Sequence, residues 1–341
     1  MTAQRLERPA TQAHPFRDVR LHVVTGKGGT GKTTVAASLA VALATGGRRV
    51  LLTEVEGRQG IAQVFDTPPL PYEERKVASA PGGGEVYALA IDAEQALLDY
   101  LDMFYNLRRA GRALKRLGAV DFATTIAPGM RDVLLTGKVK EAVIREDPRR
   151  PGGRAYDAVV MDAPPTGRIA RFLNVTSEVA GLAKVGPIRG QAEGVMAVLR
   201  SPQTAVHLVT VLEEMPTQET IDGVAELRAA RLPVGAVIVN MTRDPRLHPA
   251  ELARARAGEL DLEELTAGVK EAGVDSTPDL VEALAAEAAD HARRVALEAD
   301  ERAALAALDR PMYELPLLSE AVDLGAVYRF AELLRAEGML G

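Results

Sequence analysis

Gly26-Lys27-Gly28-Gly29-Thr30-Gly31-Lys32-Thr33-Thr34 follows the apolar run from Leu21 to Thr25 and leads into the alanine-rich run from Val35 to Ala44. That order reads as a strand, a glycine-rich loop and a helix. From Gly26 to Thr33 the spacing satisfies G-x-x-x-x-G-K-[ST], and the flanking strand and helix are the context that gives this pattern meaning. Glycines let the backbone fold back and aim successive N–H groups inward, while the following helix brings its positive end to the same point. Gly28, Gly29, Thr30 and Gly31 therefore form a candidate polyphosphate cradle. Lys32 is placed to reach the β- and γ-phosphates, with ATP or ADP as the nucleotide. The Thr33 hydroxyl is a direct ligand for Mg2+, and Thr34 assists at the α-phosphate. A chance glycine turn leaves the lysine directly after Gly31 unexplained.

Lys27 adds what the generic pattern lacks. With it, the loop resembles the deviant Walker A of a family that includes the arsenite-pump ATPases, the tail-anchored-protein targeting ATPases, the Min and Par partition ATPases and the nitrogenase iron protein. In that family the early lysine crosses a two-fold interface to the partner's nucleotide, so the resemblance implies a nucleotide-gated dimer. Without the resemblance, Lys27 is a solvated loop lysine.

The 341 residues, 47% of them hydrophobic, can bury a large core. The 41 basic and 47 acidic residues give a net charge of −6, which argues against a dedicated nucleic-acid binder. The absence of cysteine removes disulfides, thiolate zinc sites and iron–sulfur ligation. Within the resembled family it excludes the iron-protein role, the zinc-bridging cysteine pair of the targeting ATPases and the metalloid-holding thiolates of the arsenite pumps. The five histidines show no metal-ligand spacing and read as surface or packing residues. Residues 1–17 mix arginine, proline and small polar residues and read as a disordered tail. No run of 18 apolar residues occurs, so a cytoplasmic protein is expected, with transient membrane association left open.

Arg49 to Val55 reads as a second strand, Val86 to Ile91 as a third, and Ala158 to Met161 as a short buried strand delivering Asp162. After the second strand the resembled family has an aspartate-proline that positions the attacking water. Here Glu56 takes the aspartate's place and Gly57 the proline's. The extra methylene moves the carboxylate, and displacement of about an ångström can cost about 100-fold in rate, so slow or partner-dependent hydrolysis is expected. The plainer alternative is a surface glutamate in a loop. Asp162-Ala163-Pro164-Pro165-Thr166-Gly167-Arg168 resembles the family's second switch, with Arg168 in place of its histidine. The resemblance implies that Asp162 holds Mg2+ through water and that the Gly167 N–H senses the γ-phosphate. Ala205 to Val211 and Gly235 to Val239 read as strands, with a helix opened by Glu219-Thr220 between them. Asn240 then stands where the family reads adenine, although a strand-end turn asparagine has the same appearance. Met312 to Leu318 resembles the final strand and adenine loop, with Pro316 and Leu317 as base contacts. Residues 324–336 read as a closing helix.

Helical insertions are expected at about 93–150, 178–202 and 244–308 within a single P-loop domain spanning 18–341. Arg108, Arg112, Lys115 and Arg116 share one helical face, either solvated or a partner surface. Met103, Phe104, Met130, Val133 and Leu134 suit an apolar client groove or simple core packing. The patch from Val195 to Leu199 reads as core. About seven strands separated by helices make an α/β fold, a mostly parallel sheet covered on both faces. The resemblance spans residues 20–336 and makes this a P-loop NTPase of the SIMIBI type, similar to the actinobacterial branch of the ArsA and guided-entry ATPases. With one P-loop, the chain needs a second nucleotide site from a copy of itself or a homologous ATPase subunit. The implied function is a Mg2+-dependent ATPase that switches a surface for a client or partner protein. The alternatives are a pump subunit for an anion or metalloid and a nucleotide-binding regulator of an active paralogue.

Overall fold

A computed structural model describes residues 15–105, 129–149, 151–174, 187–319 and 323–340. Its eight strands are β1 Leu21–Gly26, β2 Arg49–Glu54, β3 Arg75–Ala80, β4 Gly84–Ala90, β5 Ala158–Asp162, β6 Thr204–Thr210, β7 Val234–Thr242 and β8 Met312–Pro316. They lie in the order β3-β4-β2-β5-β1-β6-β7-β8. Every neighbouring pair is parallel except β3 with β4. β1 and β5 are buried along their whole length, as strands covered on both faces must be. Side-chain alternation divides the core. Val24, Val50 and Leu52 face one layer with Leu39 and Phe330, while Val23, Leu51 and Val159 face the other with Phe172 and Leu227.

The described helices are α1 Lys32–Ala44, α2 Gly60–Val64, α3 Ala93–Tyr105, α4 Met130–Ile144, α5 Thr166–Leu173, α6 Pro187–Leu199, α7 Glu214–Ala229, α8 Pro249–Ala257, α9 Leu262–Glu271, α10 Pro278–Ala306 and α11 Leu324–Ala336. α1 is buried almost all round because α11 covers the side turned away from the sheet. None of the described helices is long and apolar enough to cross a membrane.

The sequence pattern gives about seven strands, and the eighth is β3. Its sequence, Arg75-Lys76-Val77-Ala78-Ser79-Ala80, is half exposed and carries little apolar signal of its own. It becomes a strand by pairing antiparallel with β4 across a turn in which Gly82 and Gly83 take φ 77° and 81°. α7 starts at Glu214, five residues before the expected start, so Glu219 lies inside the helix. Phe16, assigned to the tail from sequence, is buried against the core and meets the His207 ring edge-on at 4.8 Å. Val133 and Leu134 are buried in the core and, with Met130, also line a cavity of about 300 Å³, and Val195, Met196 and Leu199 are core as expected. The basic face from Arg108 to Arg116 and the side chains of Met103 and Phe104 lie outside the described residues.

Two histidines expected at the surface or in packing are wholly buried in the sheet. His22 on β1 and His207 on β6 stack with ring centroids 5.3 Å apart, and His22 Nδ1 lies 3.1 Å from His207 Nε2. The Ala236 N–H donates to His207 Nδ1 at 3.1 Å, which makes that nitrogen an acceptor. His207 therefore carries its hydrogen on Nε2 and donates to His22 Nδ1. The hydrogen left on His22 Nε2 makes no well-formed bond among the described residues.

Candidate functional site

The loop between β1 and α1 turns through three glycines at positive φ: Gly26 at 155°, Gly29 at 90° and Gly31 at 83°. A Cβ at Gly31 would stand 2.4 Å from Asn240 Nδ2, so neither the backbone angle nor the space admits another residue without strain. The Lys27 carbonyl is the inner anchor. It accepts from Thr30 Oγ1 at 2.9 Å and from Lys32 Nζ at 3.3 Å. Lys32 is buried, and burial lowers its pKa while the Asp162 and Glu56 carboxylates oppose that shift. An ammonium so desolvated needs anionic oxygens nearby, which suits a phosphate.

At the end of β5, Asp162 accepts from the Thr33 hydroxyl at 2.7 Å. Burial pushes its carboxyl up to about 6, against the pull of Thr33 and Lys32, and Glu54 and Glu56 push the same way as burial. A hydroxyl and a carboxylate in contact are hard oxygen donors, the chemistry Mg2+ takes when it keeps waters and phosphate oxygens for its remaining positions. The cation would also relieve the desolvated carboxylate.

The segment after β2 is held by Glu54, which the sequence reading leaves without a role. Glu54 is 2% exposed, and its two oxygens accept from the Gln59 N–H at 2.5 Å and the Ile61 N–H at 3.2 Å. Gln59 sits at φ 57°, and its side-chain amide clasps the Leu70 backbone in both directions, at 2.7 and 3.2 Å. This clamp draws Gly60 against the phosphate loop, where a Cβ would lie 3.3 Å from Thr33 Cγ2. Within the clamped loop Glu56 pairs with Arg58 at 3.5 Å and with Arg168 at 3.9 Å. Glu56 and Arg168 both depart from the resembled pattern, and here they meet each other across the two segments.

Gly167 is the second residue of α5, and a Cβ there would meet nothing within 4 Å. Asn240 is 4% exposed and donates Nδ2 to the Thr30 carbonyl at 2.9 Å, leaving Oδ1 and the second amide hydrogen for a base. Leu317 is 44% exposed and its N–H donates to the Thr242 carbonyl at 2.8 Å, so Pro316 and Leu317 are tied to the end of β7, two residues beyond Asn240. The fold thus gathers Lys32, Thr33, Glu56 and Asp162 at the loop, with Asn240 one hydrogen bond behind it. Glu219, in no motif, also reaches in. It pairs with Lys27 at 3.0 Å and accepts from Thr166 Oγ1 at 3.1 Å. Only the strand that ends in Glu54 and the helix that carries Glu219 were readable locally, since the partners of both side chains lie outside those elements.

A family model described as Anion-transporting ATPase matches residues 19–202. ATPase BagA of Mycobacterium tuberculosis is 57% identical over 321 residues, covering 94% of each chain. ATPase GET3 of Kluyveromyces lactis is 28% identical over 251 residues, covering 64% of this chain and 70% of that one. GET3 of Podospora anserina is 29% identical over 186 residues, covering 53% of this chain and 50% of that one.

Proposed function

Since the chain belongs to the anion-transporting ATPase family and hydrolyses ATP, we propose that it acts as a Mg2+-dependent dimeric switch whose nucleotide state opens and closes a surface for a client or partner protein. The observation that carries the switch reading is the Glu56–Arg168 ion pair, which ties the segment after β2 to the segment after β5. Two segments in contact at the same end of the sheet can be ordered together by one γ-phosphate and released together by its loss.

The loop amides and Lys32 hold the phosphates and stabilise charge on the transferred group. Mg2+, when bound, would be held by Thr33 and Asp162 and would supply further neutralisation of the phosphate oxygens. Glu56 orients the attacking water, which adds to the γ-phosphorus as the bond to the β-γ bridging oxygen breaks, giving ADP and phosphate. Glu56 must first leave Arg58 and Arg168, which favours slow turnover until a partner is present. The Gly167 N–H bonds the γ-phosphate, and Asn240 with Pro316 and Leu317 holds the adenine. Lys27 reaches the nucleotide of a second chain, either a copy or a homologous ATPase subunit.

Sedimentation of the purified protein with Mg2+-ATP and with Mg2+-ADP tests this directly. The dimer should dominate in one state alone, and Lys32→Ala should abolish both hydrolysis and that dependence. Retention of both in the variant overturns the proposal. An affinity pull-down in each nucleotide state then identifies the client as the protein retained in only one.

A further inference from the structure

Glu219 bridges two parts of the site. One carboxylate oxygen lies 3.0 Å from Lys27 Nζ in the phosphate loop, and the other accepts from Thr166 Oγ1 at the start of α5. α7 holds that carboxylate in place. Thr217 and Thr220 on either side of it are buried, and Thr220 Oγ1 donates to the Pro216 carbonyl at 2.8 Å. Close by, a Cβ on Gly223 would stand 3.3 Å from Leu208 and 3.5 Å from Thr166, so α7 rests tightly on β6 and α5. The two loop lysines consequently differ. Lys32 turns inward to the Lys27 carbonyl, whereas the Lys27 ammonium is drawn outward to α7.

We propose that Glu219 is a positioning residue for Lys27 that couples its departure to the second switch. This rests on the dimer reading above. Until a second nucleotide-bound chain arrives, Glu219 holds the ammonium on its own protomer. The phosphates across the interface carry more negative charge than one carboxylate and take the ammonium over. Glu219 is then left unneutralised beside the amino end of α5, whose dipole and Thr166 hydroxyl draw it closer. The segment bearing Gly167 and Arg168 thereby registers that a partner has docked.

Both side chains are about one-third exposed, at 31% and 36%, so the pair should shift an equilibrium only about 1.5- to 5-fold. Glu219→Gln removes the charge and keeps an oxygen for Thr166. In the full chain without nucleotide, acetylation of Lys27 by an amine-reactive reagent, followed by mass spectrometry, should speed up about 1.5- to 5-fold in Glu219→Gln. An unchanged rate overturns the proposal. With Mg2+ and a non-hydrolysable ATP analogue, the dimer dissociation constant should fall by a similar factor in Glu219→Gln and stay constant when the substitution is made on Lys27→Ala. An equal shift in both backgrounds also overturns it. If the parent protein never associates, the dimer reading fails, and the coupling fails with it even if the acetylation result confirms that Glu219 holds Lys27.

Discussion

Lowering the pH from 7.5 to 5.5 probes the histidine pair inside the sheet. His22 and His207 are both wholly buried, and their hydrogen-bond chain from the Ala236 N–H needs both rings neutral. Protonation would set N–H against N–H. Burial accordingly depresses His22 to about 3, with Arg48 adding to the effect, and holds His207 well below the usual histidine range. The unfolded chain takes up protons at about 6.5 while the folded chain does not, so stability present above that pH is lost as the pH falls below it. At pH 5.5 each ring costs about 1.4 kcal/mol, or about 3 kcal/mol for the pair, a large share of a typical total of about 5–15 kcal/mol. Urea denaturation at pH 7.5, 6.5 and 5.5 measures this in the parent protein and in the double variant His22→Leu, His207→Leu. The variant leaves the Ala236 N–H without its acceptor, which costs about 1–3 kcal/mol at every pH and drops out of the slope. Asp162, raised to about 6, contributes stability that is full at acid pH and lost as pH rises through its folded value, the opposite sign. It is common to both proteins and cancels. The parent should lose about 3 kcal/mol more than the variant between pH 7.5 and 5.5, and equal slopes refute the tautomer chain.

Gly31→Ala forces a side chain into φ 83° and against Asn240, so about 2–4 kcal/mol of stability should go together with ATP affinity. Thermal unfolding and titration calorimetry measure both, and parent-like values would contradict the packing described. Thr33→Val removes the hydroxyl on Asp162. ATP binding with Mg2+ should weaken at least about tenfold, equivalent to ~1.4 kcal/mol, while binding in EDTA should change little. Glu54→Gln turns one of its oxygens into a donor facing a loop N–H, so steady-state turnover should fall about 10- to 100-fold with KM for ATP nearly constant. A matching rise in KM would point to lost binding instead.

β1, the loop and α1 were legible end to end because glycine spacing and an apolar run are local signals. The strands that deliver Asp162 and Asn240 were legible for the same reason, as continuous buried runs. β3 was not, since its strand character comes from β4 rather than from its own side chains. Glu219 was read only as the opening of a helix, because its meaning lies in Lys27 and Thr166, which other elements carry to it. His22 and His207 stand 185 residues apart, and neither shows in its own neighbourhood that the other will be beside it. Arg168 was visible as a departure from pattern, but its pairing with the other departure, Glu56, required the sheet to bring their strands together.

The strand order divides the candidate site between the two sides of β1. β2 and β5 lie to one side of β1, and β6, β7 and β8 to the other. On the proposed reading, the first side meets the γ-phosphate and the second meets the base. ATP and ADP have the same base and sugar, so the second side experiences one ligand throughout the cycle. A ligand shifts an equilibrium only by what differs between the states it meets. Retention and reporting are therefore separable properties: changes in β7 would alter how long a nucleotide stays, while leaving what its hydrolysis signals to the segments after β2 and β5.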